Sequence, residues 1–140
     1  MTIRLAVPFF MVSDMEASLR FYVDGLGFAK TKEWTPHGAI EWCWIERDGT
    51  ALMLQQYREG NLPEHKRGVG VSVCFQCADA LALYREFTGR GLLPKWPFVG
   101  NGLWVVALID PDGYHIDFES ETDVPEETEY DPAQHDKKVT

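Results

Sequence analysis

An α+β fold made of two tandem β-α-β-β-β modules is predicted by three features of this sequence. Apolar residues recur at helical spacing in two short segments, and each segment is followed by strand-like runs rich in β-branched and aromatic residues. The whole order of signals then repeats: Asp112-Gly113 follows Asp48-Gly49 by 64 positions, Gly91 follows Gly27 by 64, and Asp79 follows Asp14 by 65. Two such units point to a packed pair rather than a solenoid, because a single small sheet leaves one face uncovered.

The first strand is expected over residues 3–12, ending at Ser13-Asp14, where Asp14 can cap a helix. Met15, Leu19, Tyr22, Val23 and Leu26 place one apolar face on a helix that Gly27 stops. Three strands follow, over 28–33, 39–46 and 50–57, separated by Pro36-His37-Gly38 and by the Asp48-Gly49 hairpin signal. Residues 58–68, dense in Gly, Pro and charge, read as a linker. The second module repeats the order with a strand over 69–77, a helix capped by Asp79 and ended by Gly89 to Gly91, a Pro-broken strand over 92–98, and strands over 103–109 and 114–119 about the Asp110-Pro111-Asp112-Gly113 turn. The organisation expected is one domain over residues 1–120, with module one at about 3–57 and module two at about 69–120. The remaining 121–140 form an acidic tail, solvated and disordered.

Composition narrows the partners. The chain has 140 residues, and 45% hydrophobic content suffices for one sizeable core. A formal net charge of -9 repels phosphate backbones and anionic lipid, which disfavours nucleic acid and membrane surfaces as partners. No apolar run approaches the roughly 20 residues of a membrane helix, and residues 5–12 lack the flanks of a signal peptide. A cytoplasmic location is therefore expected. Three cysteines, Cys43, Cys74 and Cys77, do not make a disulfide framework. Cys74 and Cys77 form a C-x-x-C pattern, but residues three apart on a strand point to opposite faces, so both are read as small core residues rather than as a zinc pair. His37, His65 and His135 fall in loops or tail and are read as solvated.

Several segments are familiar in combination: Ala6-Val7-Pro8, Val12-Ser13-Asp14, Ser18-Leu19-Arg20-Phe21-Tyr22, Leu26-Gly27-Phe28, and Asp110-Pro111-Asp112-Gly113-Tyr114-His115-Ile116-Asp117. Together they resemble the glyoxalase/bleomycin-resistance/dioxygenase, or vicinal oxygen chelate, superfamily over residues 5–120. The pattern is most similar to the bleomycin-resistance branch. The resemblance implies that the curved sheets of the two modules form a cup. It also implies a homodimer, and in metal-dependent members a divalent ion held from the first and last strands of each module. Carried onto this chain by distance from cap and turn, those four places fall on Val7, Met53, Ser72 and Asp117, of which only Asp117 is a suitable ligand. No cofactor is therefore expected. The alternative is a divalent metal held by Asp117 with His115 and Glu119, which alternate onto the same strand face about 6.5 to 7 Å apart.

What remains is a ligand-binding reading. Trp34, Trp42, Trp44, Trp96, Phe98 and Trp104 crowd the middle strands, and Trp42 and Trp44 share a strand face opposite Cys43 and Ile45. Flat aromatic faces beside acidic groups suit a cationic or aromatic small molecule. The candidate ligand-binding residues are Phe9, Trp42, Trp44, Trp104, His115, Asp117 and Glu119. Two other readings stand beside it: a lyase, isomerase or dioxygenase with an altered metal shell, and a structural module whose cup is filled by its own side chains.

Overall fold

The computed structural model describes residues 2–136 and divides into two compact units, Met1–Arg67 and Gly68–Thr140. Each unit is a β-α-β-β-β module with one four-stranded sheet. Among the described residues no helix is long and apolar enough to cross a membrane.

In the first unit, β1 (Phe9–Val12), β2 (Ala29–Trp34), β3 (Trp42–Arg47) and β4 (Thr50–Gln56) form a sheet of order β1-β4-β3-β2. β1 runs parallel to β4, and the other pairs are antiparallel. β1 is shorter than expected, because residues 2–8 join no strand. Pro8, which has no N–H to donate, sits where pairing stops, while its carbonyl still accepts the Met53 N–H at 2.9 Å. β3 and β4 meet in a two-residue turn in which Asp48 has φ 50° and Gly49 φ 82°. Positive φ at both positions is what a turn matched to strand twist demands, which explains the Asp-Gly pair.

The predicted helix over 15–26 forms in two geometries. α1 (Met15–Leu19) is α-helical, with Asp14 accepting the Ala17 N–H, and Arg20–Gly25 continues as a wider π-helical stretch. Leu26 N–H then reaches back five residues to the Phe21 carbonyl at 2.9 Å. This helix covers one sheet face, where Val12, Cys43, Ile45, Leu52, Leu54, Tyr22 and Leu26 are fully buried. Cys43 Sγ lies 3.9 Å from Met15 Sδ across that contact. Each such leucine or isoleucine contributes about 1.5–3 kcal/mol on burial.

The second unit repeats the plan with β5 (Ser72–Gln76), α2 (Ala80–Gly89), β6 (Phe98–Gly100), β7 (Leu103–Ile109) and β8 (His115–Glu121), in sheet order β5-β8-β7-β6. The strand expected over 92–98 is instead the short β6, since Pro94 and Pro97 interrupt the earlier residues. α2 packs on Trp104, Val106, Leu108, Ile116 and Phe118, with the Phe87 and Phe118 ring centres 4.9 Å apart.

The expectation of a solvated tail is corrected by the structure. Glu121 ends β8, and residues 127–130 run along the outer edge of β6 through Glu127 N–H to Val99 O, Val99 N–H to Thr128 O, and Tyr130 N–H to Pro97 O, each 2.9 Å. Among the tail's charges stands Tyr130, whose ring is buried against Tyr84, Trp96 and Trp104. A last short helix, α3 (Pro132–His135), follows, and residues 137–140 lie outside the described ones. His135, expected in solvent, packs edge-on against Trp104 at 4.9 Å and accepts the Asp131 N–H.

Candidate functional site

In each module one sheet face is covered by its helix, so the opposite face is where a ligand would be met. Strand register assigns residues to these faces. In the first unit, successive cross-strand neighbours on the face away from α1 form two rows: Phe9, Met53, Trp44 and Lys32, then Met11, Gln55, Trp42 and Trp34. Trp42, Trp44, Met53, Gln55 and Met11 are half-buried, while Phe9 and Trp34 are exposed. This face is therefore aromatic and thioether-rich, as the alternation of Trp42 and Trp44 with Cys43 and Ile45 predicts. Trp44 is engaged by its own chain, for its Nε1–H donates to Glu46 Oε2 at 2.9 Å and Lys32 Nζ stands 4.9 Å from its ring centre. Gln56, a neighbour of the last-strand position, is committed to structure: Oε1 accepts the Met15 N–H at 2.8 Å, and Nε2 donates to the carbonyls of Val12 and Ser13.

In the second unit the corresponding rows read Cys74, Asp117 and Ala107, then Gln76, Glu119, Val105 and Phe98. His115, Asp117 and Glu119 share this face, all half-buried, alternating with buried Ile116, Phe118 and Ser120. Trp104 does not join them. It pairs with Ser120 on the helix-covered face and is 6% exposed, packed against Tyr130 and His135. Residue type groups Trp104 with Trp42 and Trp44, whereas the period-two alternation from Ala107 puts it on the opposite face.

Register gives the direct cross-strand partners of the last-strand positions. Met53 stands across from Phe9 and Asp117 across from Cys74, each two residues after the first-strand place, Val7 or Ser72, that the resemblance implies. Cys74, read from the sequence as a core residue, is exposed. Its Sγ and carboxylate oxygens of Asp117 and Glu119 lie within 4.8 Å of one another, and Gln76 Nε2 donates to Glu119 Oε2 at 3.1 Å. Spacing along one strand kept Asp117 and Glu119 apart in the sequence reading, and the third donor comes from the neighbouring strand. Burial, then the Glu119 charge, raises the Asp117 carboxyl above the usual range. Burial and the same two carboxylates push the Cys74 thiol up to about 11. A cation placed here would relieve the repulsion.

The residues at the four places that the resemblance implies do not supply a full set of metal donors. Neither Val7 nor Phe9 offers a donor and Met53 offers only a thioether, so the first unit's places do not fit a hard or borderline ion. Among the described residues, Cys74, Asp117 and Glu119 of the second unit bring a thiol and two carboxylates together.

The comparisons agree with this architecture. The Glyoxalase/Bleomycin resistance protein/Dioxygenase superfamily matches residues 4–118, and the chain belongs to it. An uncharacterised protein of Bacillus subtilis strain 168, YurT, is 26% identical over 115 residues, covering 76% of this chain and 90% of the relative. Among solved structures, TnmS3, described as an antibiotic-binding protein from Streptomyces sp. CB03234, matches with TM-score 0.65 and 23% identity, covering 87% of this chain and 99% of that one. A bleomycin resistance determinant encoded on the transposon Tn5 matches with TM-score 0.67 and 20% identity, covering 85% and 98%. At these identities the two structures establish the fold.

Proposed function

We propose that this chain binds a small molecule that is cationic or planar and aromatic, and that it does so without a metal. The observation that carries the reading is the half-buried pair Asp117 and Glu119 on the face that α2 leaves uncovered, where burial and then the Glu119 charge already raise the Asp117 carboxyl. A bound cation gains most where negative charges are crowded and partly desolvated. The aromatic face of the first unit supports the planar part of the reading, since Trp42 and Trp44 supply stacking surface. The antibiotic-binding and bleomycin-resistance descriptions of two structural neighbours favour the same class. Phe9 and Met53 favour metal independence. The resemblance to the bleomycin-resistance branch also supports a homodimer, which light scattering would check.

The test is tryptophan fluorescence against matched cationic, neutral and anionic aromatic compounds at low and high salt, on protein stripped of metal by chelator. Cations should bind most tightly and weaken as salt rises, because exposed charges are screened beyond about 8 Å at physiological ionic strength. Tightest binding by the anions would reject the proposal.

A second reading is favoured by one observation, the convergence of Cys74, Asp117 and Glu119 within 4.8 Å. Here a thiophilic divalent ion is the cation held, with activity of lyase, isomerase or dioxygenase type. One equivalent of bound metal per chain, lost in Asp117→Ala, would establish it over the first.

A further inference from the structure

We infer that Lys32 sets the ligand selectivity of the first unit's aromatic face, by occupying with its own ammonium the place on Trp44 that a planar or cationic ligand has to take. The inference rests on the binding reading above and names the residue that tunes it.

Lys32 and Trp44 are direct cross-strand partners between β2 and β3, which brings their side chains to the same sheet face. The Lys32 ammonium lies 4.9 Å from the Trp44 ring centre, within the range where a cation is held by the aromatic quadrupole. The indole is anchored from its edge, its Nε1–H bonded to Glu46 Oε2 at 2.9 Å, so the ring has a fixed plane to offer. Met53 is its other cross-strand neighbour, on β4. Along the row, Trp44 thus stands between a thioether and an ammonium, and the ammonium is the displaceable neighbour because Lys32 is exposed while Met53 is half-buried. An exposed lysine gives up such a contact at small cost.

Two consequences follow for ligand choice. Any ring that stacks on the side of Trp44 that Lys32 covers must first send Lys32 into water, which lowers affinity for all planar ligands by the strength of the contact. A cationic ring meets in addition the repulsion of a like charge beside it, while a neutral ring does not. Lys32 therefore discriminates against cations on this face, although the acidic face of the second unit attracts them.

The experiment compares wild type, Lys32→Met and Trp44→Leu, using a monocationic acridine dye and uncharged acridine as probes, read by tryptophan quenching. Lys32→Met keeps the length and apolar stem of the side chain and removes the charge. It should bind the cationic dye about three-fold or more tightly than wild type, with a smaller gain for the neutral probe, and adding Lys32→Met to Trp44→Leu should bring no such gain. Without any probe, the Lys32 side-chain methylene protons should show upfield ring-current shifts in NMR that vanish in Trp44→Leu and on saturation with the dye. Wild-type binding with no gain in Lys32→Met overturns the Lys32 inference and leaves the binding reading standing. Absence of binding by both proteins overturns the two together, and absent ring-current shifts overturn the contact itself.

Discussion

Cys74 stands directly across the parallel β5–β8 ladder from Asp117, with its Sγ–H directed at Asp117 Oδ2 over 3.9 Å, and Phe9 stands in the same relation to Met53 in the first unit. One duplicated position thus carries a thiol and a carboxylate in one module, and a ring and a thioether in the other. The two sheets share a backbone plan but differ in the chemistry of their uncovered faces. The divergence lies on those faces, since the helix-covered sides of both sheets are uniformly apolar at Cys43, Ile45, Leu52 and Leu54, and at Val106, Leu108, Ile116 and Phe118.

Cys74 should be a slow thiol despite its exposure. Partial desolvation of its sulfur, then Glu119 and Asp117, raise the thiol to about 11, so little thiolate exists at pH 8. Loss of thiolate is partly offset by the greater nucleophilicity of a more basic sulfur, leaving alkylation by iodoacetamide about ten-fold slower than for a free cysteine. Glu119→Gln removes one of the charges responsible and should speed the reaction, as located by peptide mass mapping. An unchanged rate in Glu119→Gln would show that the carboxylate does not govern the thiol.

Asp117→Asn should stabilise the ligand-free protein at neutral pH. The carboxyl is raised in the fold, first by burial and then by Glu119, so between its unfolded and folded values the native state binds the proton more tightly. Stability from this group is therefore greatest at acid pH and falls as pH rises through that window. The variant carries no such dependence. Its Tm should exceed wild type at pH 7 and the advantage should shrink toward pH 3, as followed by circular dichroism. A lower Tm at pH 7 would mean that the Asp117 charge is compensated.

The module order, both Asp-capped helices and the two hairpins were legible because each rests on local chemistry: side-chain caps at Asp14 and Asp79, Asp48-Gly49 with positive φ, and the Asp110 carboxylate accepting the N–H groups of Asp112 and Tyr114. The face shared by Trp42 and Trp44 was legible from alternation alone. What escaped depends on partners remote in sequence. Cys74 meets Asp117 across 43 positions, a pairing that no local signal in either segment announces. Trp104 and the tail were misread together, because the aromatic residues that cover Trp104 include Tyr130, inside a segment whose charge suggested solvation.

Gln56 and Ser120 fasten helix to sheet in the same way in the two modules. Gln56 Oε1 accepts the Met15 N–H at 2.8 Å, and Ser120 Oγ accepts the Ala80 N–H at 2.9 Å, each satisfying a first-turn donor from the last strand. Gln56 also donates to two carbonyls, so its loss should cost more. Gln56→Leu is expected to destabilise by about 2 kcal/mol and Ser120→Ala by about 1 kcal/mol in urea unfolding. Equal costs would mean that the Nε2 contacts contribute nothing.

Gly68 and Gly70 offer a paired test of close packing against backbone conformation. Both have positive φ, 72° and 76°, so alanine at either place meets the left-handed penalty of about 1 kcal/mol. They differ in surroundings. A Cβ on Gly68 would fall 2.4 Å from the Gly113 carbonyl oxygen and 2.8 Å from the Tyr114 nitrogen, while one on Gly70 meets nothing within 4 Å. The obstacle at Gly68 is the backbone of the Asp110 to Gly113 turn, which cannot swing aside as a side chain can and which is held by the Asp110 carboxylate. Gly70→Ala should therefore cost only the conformational penalty. Gly68→Ala should exceed it by about 1 to 3 kcal/mol, and because the strain falls on the turn leading into β8, the amide signals of Gly113 and Tyr114 should shift in NMR spectra of Gly68→Ala and stay in place in Gly70→Ala. Equal destabilisation by the two substitutions would show that the chain at Gly68 does not lie against the turn.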